Sequence, residues 1–280
     1  MEIVLPSEKT YLPGAGQCIY CWPATTTTSN LGREHIIPDK LGGKLILHQA
    51  ACKGCERAIN REIETPALTR MWLQPRTHLR MKTSAPKTSL PIGTWTADRS
   101  DWPNMDEVDF AFEDISLEQH PFRIVVPRFK PPGILWRQPL STKFDMVGIS
   151  AYAPTPNLPK ALGTQSAVFQ PFSPDIICRS IAKVAHSAAI AELGLNAFEP
   201  LLPRVILGKD LNISHLVGSS LTKGRVQQSL HRIELRVSGE YVVAKVQLFA
   251  RYGIQPFLAV VGKAAPRLVE WRTSILQSNP

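Results

Sequence analysis

Cys18-Ile-Tyr-Cys21, then Arg33-Glu34-His35-Ile36-Ile37-Pro38, then Leu41-Gly42-Gly43, and finally Cys52-Lys-Gly-Cys55-Glu56 with a helical run through Asn60 form the stretch on which the reading of this chain turns. Two C-x-x-C pairs on either side of residues 22–51 have the spacing of a four-thiolate zinc site, with Cys18, Cys21, Cys52 and Cys55 as ligands. The loop that such a zinc would close carries an acidic residue followed directly by a histidine. A pinned loop displaying Glu34-His35 is a scaffold for metal-assisted phosphodiester chemistry. The fifth cysteine, Cys178, lies in an amphipathic pattern. Cysteines that hold metal in an intracellular protein explain this distribution better than a secreted disulfide framework.

Working outward, Glu34 to Ile37 should end a strand, because Pro38 cannot donate to a ladder. Gly42-Gly43 should turn the chain, and Lys44 to Leu47 should return as a second strand. Cys52 should open a helix in which Glu56, Ile59, Asn60 and Ile63 share a face. Pro66 should stop or kink that helix.

The succession C-x-x-C, E-H-I-I-P, L-G-G, C-x-x-C resembles the HNH endonucleases, also called ββα-metal or His-Me finger nucleases. The resemblance is specific over about residues 16–64 and looser through Lys87. It implies a strand, strand, helix module in which His35 is the general base and Glu34 binds a catalytic divalent ion, Mg²⁺ or Mn²⁺. It implies another metal ligand directly after the last cysteine, where the family commonly has His or Asn and this chain has Glu56. A carboxylate there is a hard donor suited to those ions; its bland role is to complement the helix dipole. Asn60 lies one turn on. The family's base-orienting Asn of the second strand has its nearest counterpart in Gln49, beside His48. Neighbouring strand residues point to opposite faces, so Glu34 and His35 can serve one phosphate only if the backbone turns at the strand end.

The whole chain has 280 residues and a net charge of +9, which favours a polyanionic partner, nucleic acid before membrane surface. No stretch approaches the roughly 18 consecutive apolar residues of a membrane span. The opening Met-Glu-Ile-Val-Leu-Pro lacks the features of a signal peptide, so a cytoplasmic location is expected. No Walker loop, dinucleotide fingerprint or internal repeat is visible.

Residues 1–17 read as a short lead and 22–33, with Thr25 to Thr28, as a loop. Residues 65–97 contain no acidic residue but carry Arg70, Arg76, Arg80, Lys82 and Lys87 around Trp72 and His78; they read as a phosphate-contacting arm. Residues 98–121 reverse the sign and read as an acidic surface segment. Residues 127–174 are proline-rich, mostly irregular, with one or two short strands. A helix is expected over 174–193, with Ile177, Ile181, Val184 and Ala188 on one apolar face and Gly194 after it. An antiparallel meander is expected over 229–262, turning at Ser238-Gly239. His186, His215 and His231 read as structural or surface histidines.

The fold expected is therefore α+β: a zinc-stapled ββα-metal module with its basic arm over residues 1–90, a connecting region over 91–173, and a helix with antiparallel sheet over 174–280. The function expected is a divalent-metal-dependent endonuclease acting on DNA, with RNA as the other possible substrate. A zinc module that binds nucleic acid without cutting, and a structural protein whose C-terminal half binds a partner, are the competing classes. The sequence leaves the oligomeric state open.

Overall fold

A computed structural model of the chain describes residues 1–82, 87–95, 111–153, 165–167, 173–266 and 268. Most of the acidic run expected over 98–121, from Asp98 to Asp109, lies outside the described residues, as do Pro154, Pro156, Pro159 and Pro171.

Fourteen short strands are described: β1 (Glu2–Ile3), β2 (Thr10–Leu12), β3 (Leu31–His35), β4 (Leu45–Cys52), β5 (Ser89–Trp95), β6 (Ala111–Ser116), β7 (Ile124–Phe129), β8 (Met146–Tyr152), β9 (Gln165–Ala167), β10 (Phe198–Pro200), β11 (Val217–Ser219), β12 (Arg232–Ser238), β13 (Tyr241–Gln247) and β14 (Phe257–Ala264). The α-helices are α1 (Lys53–Ile59), α2 (Leu73–His78), α3 (Pro174–Leu193), α4 (Leu202–Ile206) and α5 (Ile213–Leu216). The protein is a mixed helix and antiparallel-sheet fold with the cysteine cluster near its N-terminal end.

The largest sheet runs β1-β12-β13-β14-β10, with β11 also on β14. Its centre is apolar on both faces: Val242, Val243, Ala244 and Val246 of β13 and Phe257 to Val261 of β14 are buried. The β12–β13 hairpin pairs Ser238 with Tyr241, and Gly239 at φ 59° supplies the left-handed residue that its two-residue turn needs. Helix α3 packs on this sheet and on the helical segment after α1. The sequence places a single apolar stripe on α3. Instead every residue from Ile177 to Ile190 except Ser180 is buried, including Arg179, Lys183 and His186. A helix enclosed on all sides is a central core helix, and its alanines let neighbours approach closely.

The N-terminal module is built on β2-β4-β3, with β2 parallel to β4 and β3 antiparallel to it. The lead is thus less idle than its sequence suggests. β1 joins the large sheet through β12 and β2 joins the module. Strand β4 extends past Leu47 to Cys52, which is then the N-cap residue of α1.

Pro66 does not stop the helix that follows. Residues 60–64 and 67–71 widen into π-helical turns on either side of it, and Trp72 N–H donates to Ala67 O at 2.8 Å. Proline lacks an N–H and its ring crowds the carbonyl four residues back, and the wider turns relieve both demands.

The basic segment also departs from expectation. It is not a free arm. Trp72 is 1% exposed and packs on Phe249, ring centroids 5.2 Å apart. The buried Arg76 guanidinium donates to the carbonyls of Lys40 (2.9 Å), Leu68 (2.8 Å) and Lys82 (3.1 Å). A buried guanidinium needs acceptors, and the backbone supplies them, so Arg76 holds the fold rather than a phosphate.

Candidate active site

The cysteines come first. Cys18 N–H donates to Thr27 O at 2.8 Å and Ile19 N–H to Ala50 O at 2.8 Å, which seats the first C-x-x-C turn against β4. Cys52 and Cys55 flank the start of α1. All four Sγ atoms lie within 4.8 Å of one another, with Cys21–Cys52 at 3.8 Å and Cys21–Cys55 at 3.5 Å. A tetrahedral zinc with Zn–S near 2.3 Å needs S···S edges of about 3.8 Å. The spacing fits zinc and is far too long for a disulfide. The thiols share hydrogen bonds: Cys55 holds the Cys18 thiol down at about 4, and the Cys55 thiol is pushed up in turn. A cation in their midst would replace those shared protons.

Strand β3 brings Glu34 and His35 to its end. The Glu34 carboxylate is buried and its Oε1 pairs with the Lys183 ammonium of α3. The same ammonium pairs with Glu64 Oε1 at 3.0 Å and donates to the His35 carbonyl. Burial raises the Glu34 pKa, opposed by Lys183 and aided by Glu64. Burial also pulls the Lys183 ammonium down, but the two carboxylates outweigh it and its pKa ends up raised.

His35 is half-buried, and its Nδ1 is buried without a hydrogen-bond partner. Burial lowers its pKa below the ordinary 6.5, with Asp39 pulling the other way. The imidazole is therefore neutral near pH 7 and able to accept a proton.

Two hollows meet at His35. The larger has a volume of about 1030 Å³ and is lined by Glu34, His35, Glu56, Asn60 and Glu64. Its basic wall is Arg33, Lys40, Arg80, Lys82 and Lys87. Lys82 is partly committed, pairing with Asp39 Oδ2 at 2.8 Å. The smaller hollow is lined by His35, His48, Gln49 and Glu56, with Lys9 and Lys53.

His35 and Glu56 thus border both hollows. Glu56 is exposed and pairs with Lys53 Nζ at 3.2 Å. Asn60 is exposed, and its Oδ1 accepts from Thr65 Oγ1 at 3.2 Å. Gln49 reaches the smaller hollow because the β3–β4 register shifts between Gly32 and Glu34, leaving extra residues on β4. Gln49 itself takes φ 45°, and its side chain lies against Gly14. A bulge of this kind re-aims side chains.

Three polar residues of the site have no counterpart in the sequence reading: Lys183, Glu64 and Asp39. Lys183 carried only the signal that it shares one stripe of α3 with Asp175, Arg179 and His186. Glu64 and Asp39 carried none. No described helix is long and apolar enough to cross a membrane.

Residues 18–73 match the family model described as HNH endonuclease. That span covers both C-x-x-C pairs, Glu34-His35, Gln49, Glu56 and Asn60. No curated protein and no solved structure matches the chain.

Proposed function

We propose, taking the HNH endonuclease match as premise, that the chain is a divalent-metal-dependent endonuclease that hydrolyses phosphodiester bonds in DNA. The observation that carries this reading is His35: an imidazole with a pKa lowered by burial, on the border of two hollows whose other lining residues include acidic and amide side chains and a basic wall. The reading assigns Cys18, Cys21, Cys52 and Cys55 to a structural zinc that fixes this geometry.

A catalytic Mg²⁺ or Mn²⁺ needs hard oxygen donors. Glu56 and Asn60 line one cleft with Glu34, whose carboxylate is already paired with Lys183, and supply that chemistry. Glu56 is free to act as a ligand because its pairing with Lys53 is exposed and weak. Such an ion, when bound, relieves charge on the phosphate and the leaving oxygen. His35 accepts the proton of the attacking water. Gln49 lies on the same hollow as the imidazole and is its candidate orienting group. Arg33, Lys40, Arg80 and Lys87 hold the flanking phosphates by charge, without reading bases.

Two observations favour a second reading. Glu34 is engaged by Lys183, and the longer Gln49 stands where the family usually has an Asn; a module so altered could bind DNA without cutting it. A single assay separates the two. Plasmid and single-stranded DNA are incubated with Mg²⁺, Mn²⁺ or Ni²⁺ beside a His35→Ala control. Metal-dependent cleavage lost in His35→Ala supports the nuclease. Binding without cleavage across metals and substrates favours the inert module. Cleavage that persists in His35→Ala places the active site elsewhere.

A further inference from the structure

We infer that Lys183, from the central helix of the C-terminal half, is a positioning residue for the active site: its single ammonium clamps the end of β3 to the helical segment that follows α1. This rests on the nuclease reading of His35. The ammonium has three donors, and three acceptors meet it: Glu34 Oε1, Glu64 Oε1 and the His35 backbone carbonyl. Two of these belong to neighbouring residues of one strand, where side chains point to opposite faces. Holding the Glu34 carboxylate and the His35 carbonyl from the same side fixes the rotation of the strand end about its own axis. That rotation sets where the His35 imidazole points. The third arm, to Glu64, ties this strand end to the segment continuing from Glu56 and Asn60. The clamp thus fixes the proposed base and the proposed metal donors relative to each other, from a residue that touches neither water nor phosphate.

The neighbours of Lys183 show that the clamp is one of several locks between the halves. Arg179, one turn earlier on α3, pairs with Glu62 at 3.1 Å and donates to Ile206 O. His186 bonds Ile19 O at 2.9 Å, next to the first cysteine. His231 bonds Leu41 O at 2.7 Å, in the turn after Pro38. Of the four, Lys183 alone grips Glu34 and His35. That separates a positioning role from general adhesion, and Arg179 serves as the control.

The test compares wild type, Lys183→Met and Arg179→Met, each as the full zinc-loaded chain. Hydrogen exchange is followed over residues 31–37, and single-turnover cleavage and DNA affinity are measured with Mn²⁺. Lys183→Met is expected to speed exchange at 31–37 by about tenfold or more. It should lower cleavage on the order of 10²-fold, as expected of a base displaced by about 1 Å, with DNA affinity unchanged. Arg179→Met is expected to lower the melting temperature while leaving exchange at 31–37 and the cleavage rate within about twofold of wild type.

Unchanged exchange in Lys183→Met overturns the clamp whether or not the protein cuts DNA. Faster exchange with wild-type cleavage overturns the positioning role. Equal losses in both variants reduce Lys183 to a stability residue and overturn the inference as well. A wild type that cuts nothing sinks the nuclease reading, and with it the positioning of a base, whereas the clamp as a structural tie is still decided by the exchange data. Where Lys183→Met does not fold, Glu64→Gln decides. Weakening one arm of three should raise exchange at 31–37 and lower cleavage by roughly threefold, and no change in either overturns the clamp.

Discussion

The segment bracketed by the four cysteines and the C-terminal sheet share one continuous core, yet they are held together by different means. Between Cys18 and Cys55 the chain is short-stranded and turn-rich, and a cluster of four cysteines and a set of backbone hydrogen bonds lie at its ends. Around β13 and β14 the described residues hold no such cluster. A dense apolar layer closes over α3, with Val243, Ala244, Val260, Ile181 and Ala185 all 0% exposed. Ile19, Ile36 and Ile63 of the module join that layer. The chemistry-bearing groups sit in the part with the least apolar mass of its own, and the apolar part backs them with Arg179, Lys183, His186 and His231.

The largest expected effect tests whether that backing is mutual. Cys52→Ser, or removal of zinc by a chelator, takes away a metal-binding free energy on the order of 10 kcal/mol. With a shared core, calorimetry should show a single unfolding transition moved sharply down, and elemental analysis should show zinc lost. Two separate transitions would mean that the halves are independent. Elemental analysis that finds no zinc in wild type purified without chelator would end the zinc assignment itself.

Next in size is the base. His35→Ala should lower the cleavage rate by about 10²–10⁴-fold and leave zinc content and DNA affinity nearly intact, because a general base acts only in the transition state. In wild type the acid limb of the rate profile should fall below the ordinary pH of about 6.5, since burial depresses the His35 pKa and the imidazole stays neutral to lower pH. A midpoint above 6.5 would contradict that burial.

The backing histidines predict a stability effect of their own. His186 and His231 are buried and pushed down to about 4. Each binds fewer protons when folded than when unfolded between pH 4 and 6.5. Their contribution is therefore present above pH 6.5 and is lost as pH falls toward 4, by up to about 3 kcal/mol each. Thermal melts should drop over that window, and His186→Gln with His231→Gln should flatten the dependence. An equally steep curve in the double variant would assign the acid sensitivity to other groups.

The smallest effect concerns the basic wall. Arg80→Ala with Lys87→Ala should flatten the slope of log affinity against log salt by up to ~1.8 units, about 0.9 per lost phosphate contact. Arg76→Ala should leave that slope alone and lower the melting temperature instead. A slope that responds to Arg76 would return it to the DNA surface.

These contrasts follow what a sequence can and cannot carry. The cysteine cluster and the strand, strand, helix order were legible because spacing and turn residues encode them, while Glu34-His35 stood out through the family resemblance. Helix α3 and the β12–β14 meander were legible because periodicity does. Arg76 misled because a guanidinium among basic neighbours looks the same in sequence whether it meets phosphate or three carbonyls. Lys183 and Glu34 are far apart in sequence, and no local pattern joins them. The left-handed Gln49 depends on a register shift that only the paired strand defines. Pro66 read as a stop or a kink because nothing in the local pattern shows that the turns around it widen.

Those wide turns have a consequence of their own. A π-turn accommodates one residue more than an α-turn, so it works as a phase adjuster along the rod that begins at α1. Glu56 and Asn60 stand before or at the first wide turn and face the cleft, while Glu62 and Glu64 fall inside it and face α3. Were that first wide turn to tighten into ordinary α-helix with all its residues kept, the rod would not break. Everything downstream would then turn by about 100°, taking Glu64 off Lys183 and Trp72 off Phe249. For this segment the width of the turn matters as much as the identity of its residues, and an evenly wound rod would remain a sound helix that faces the wrong way.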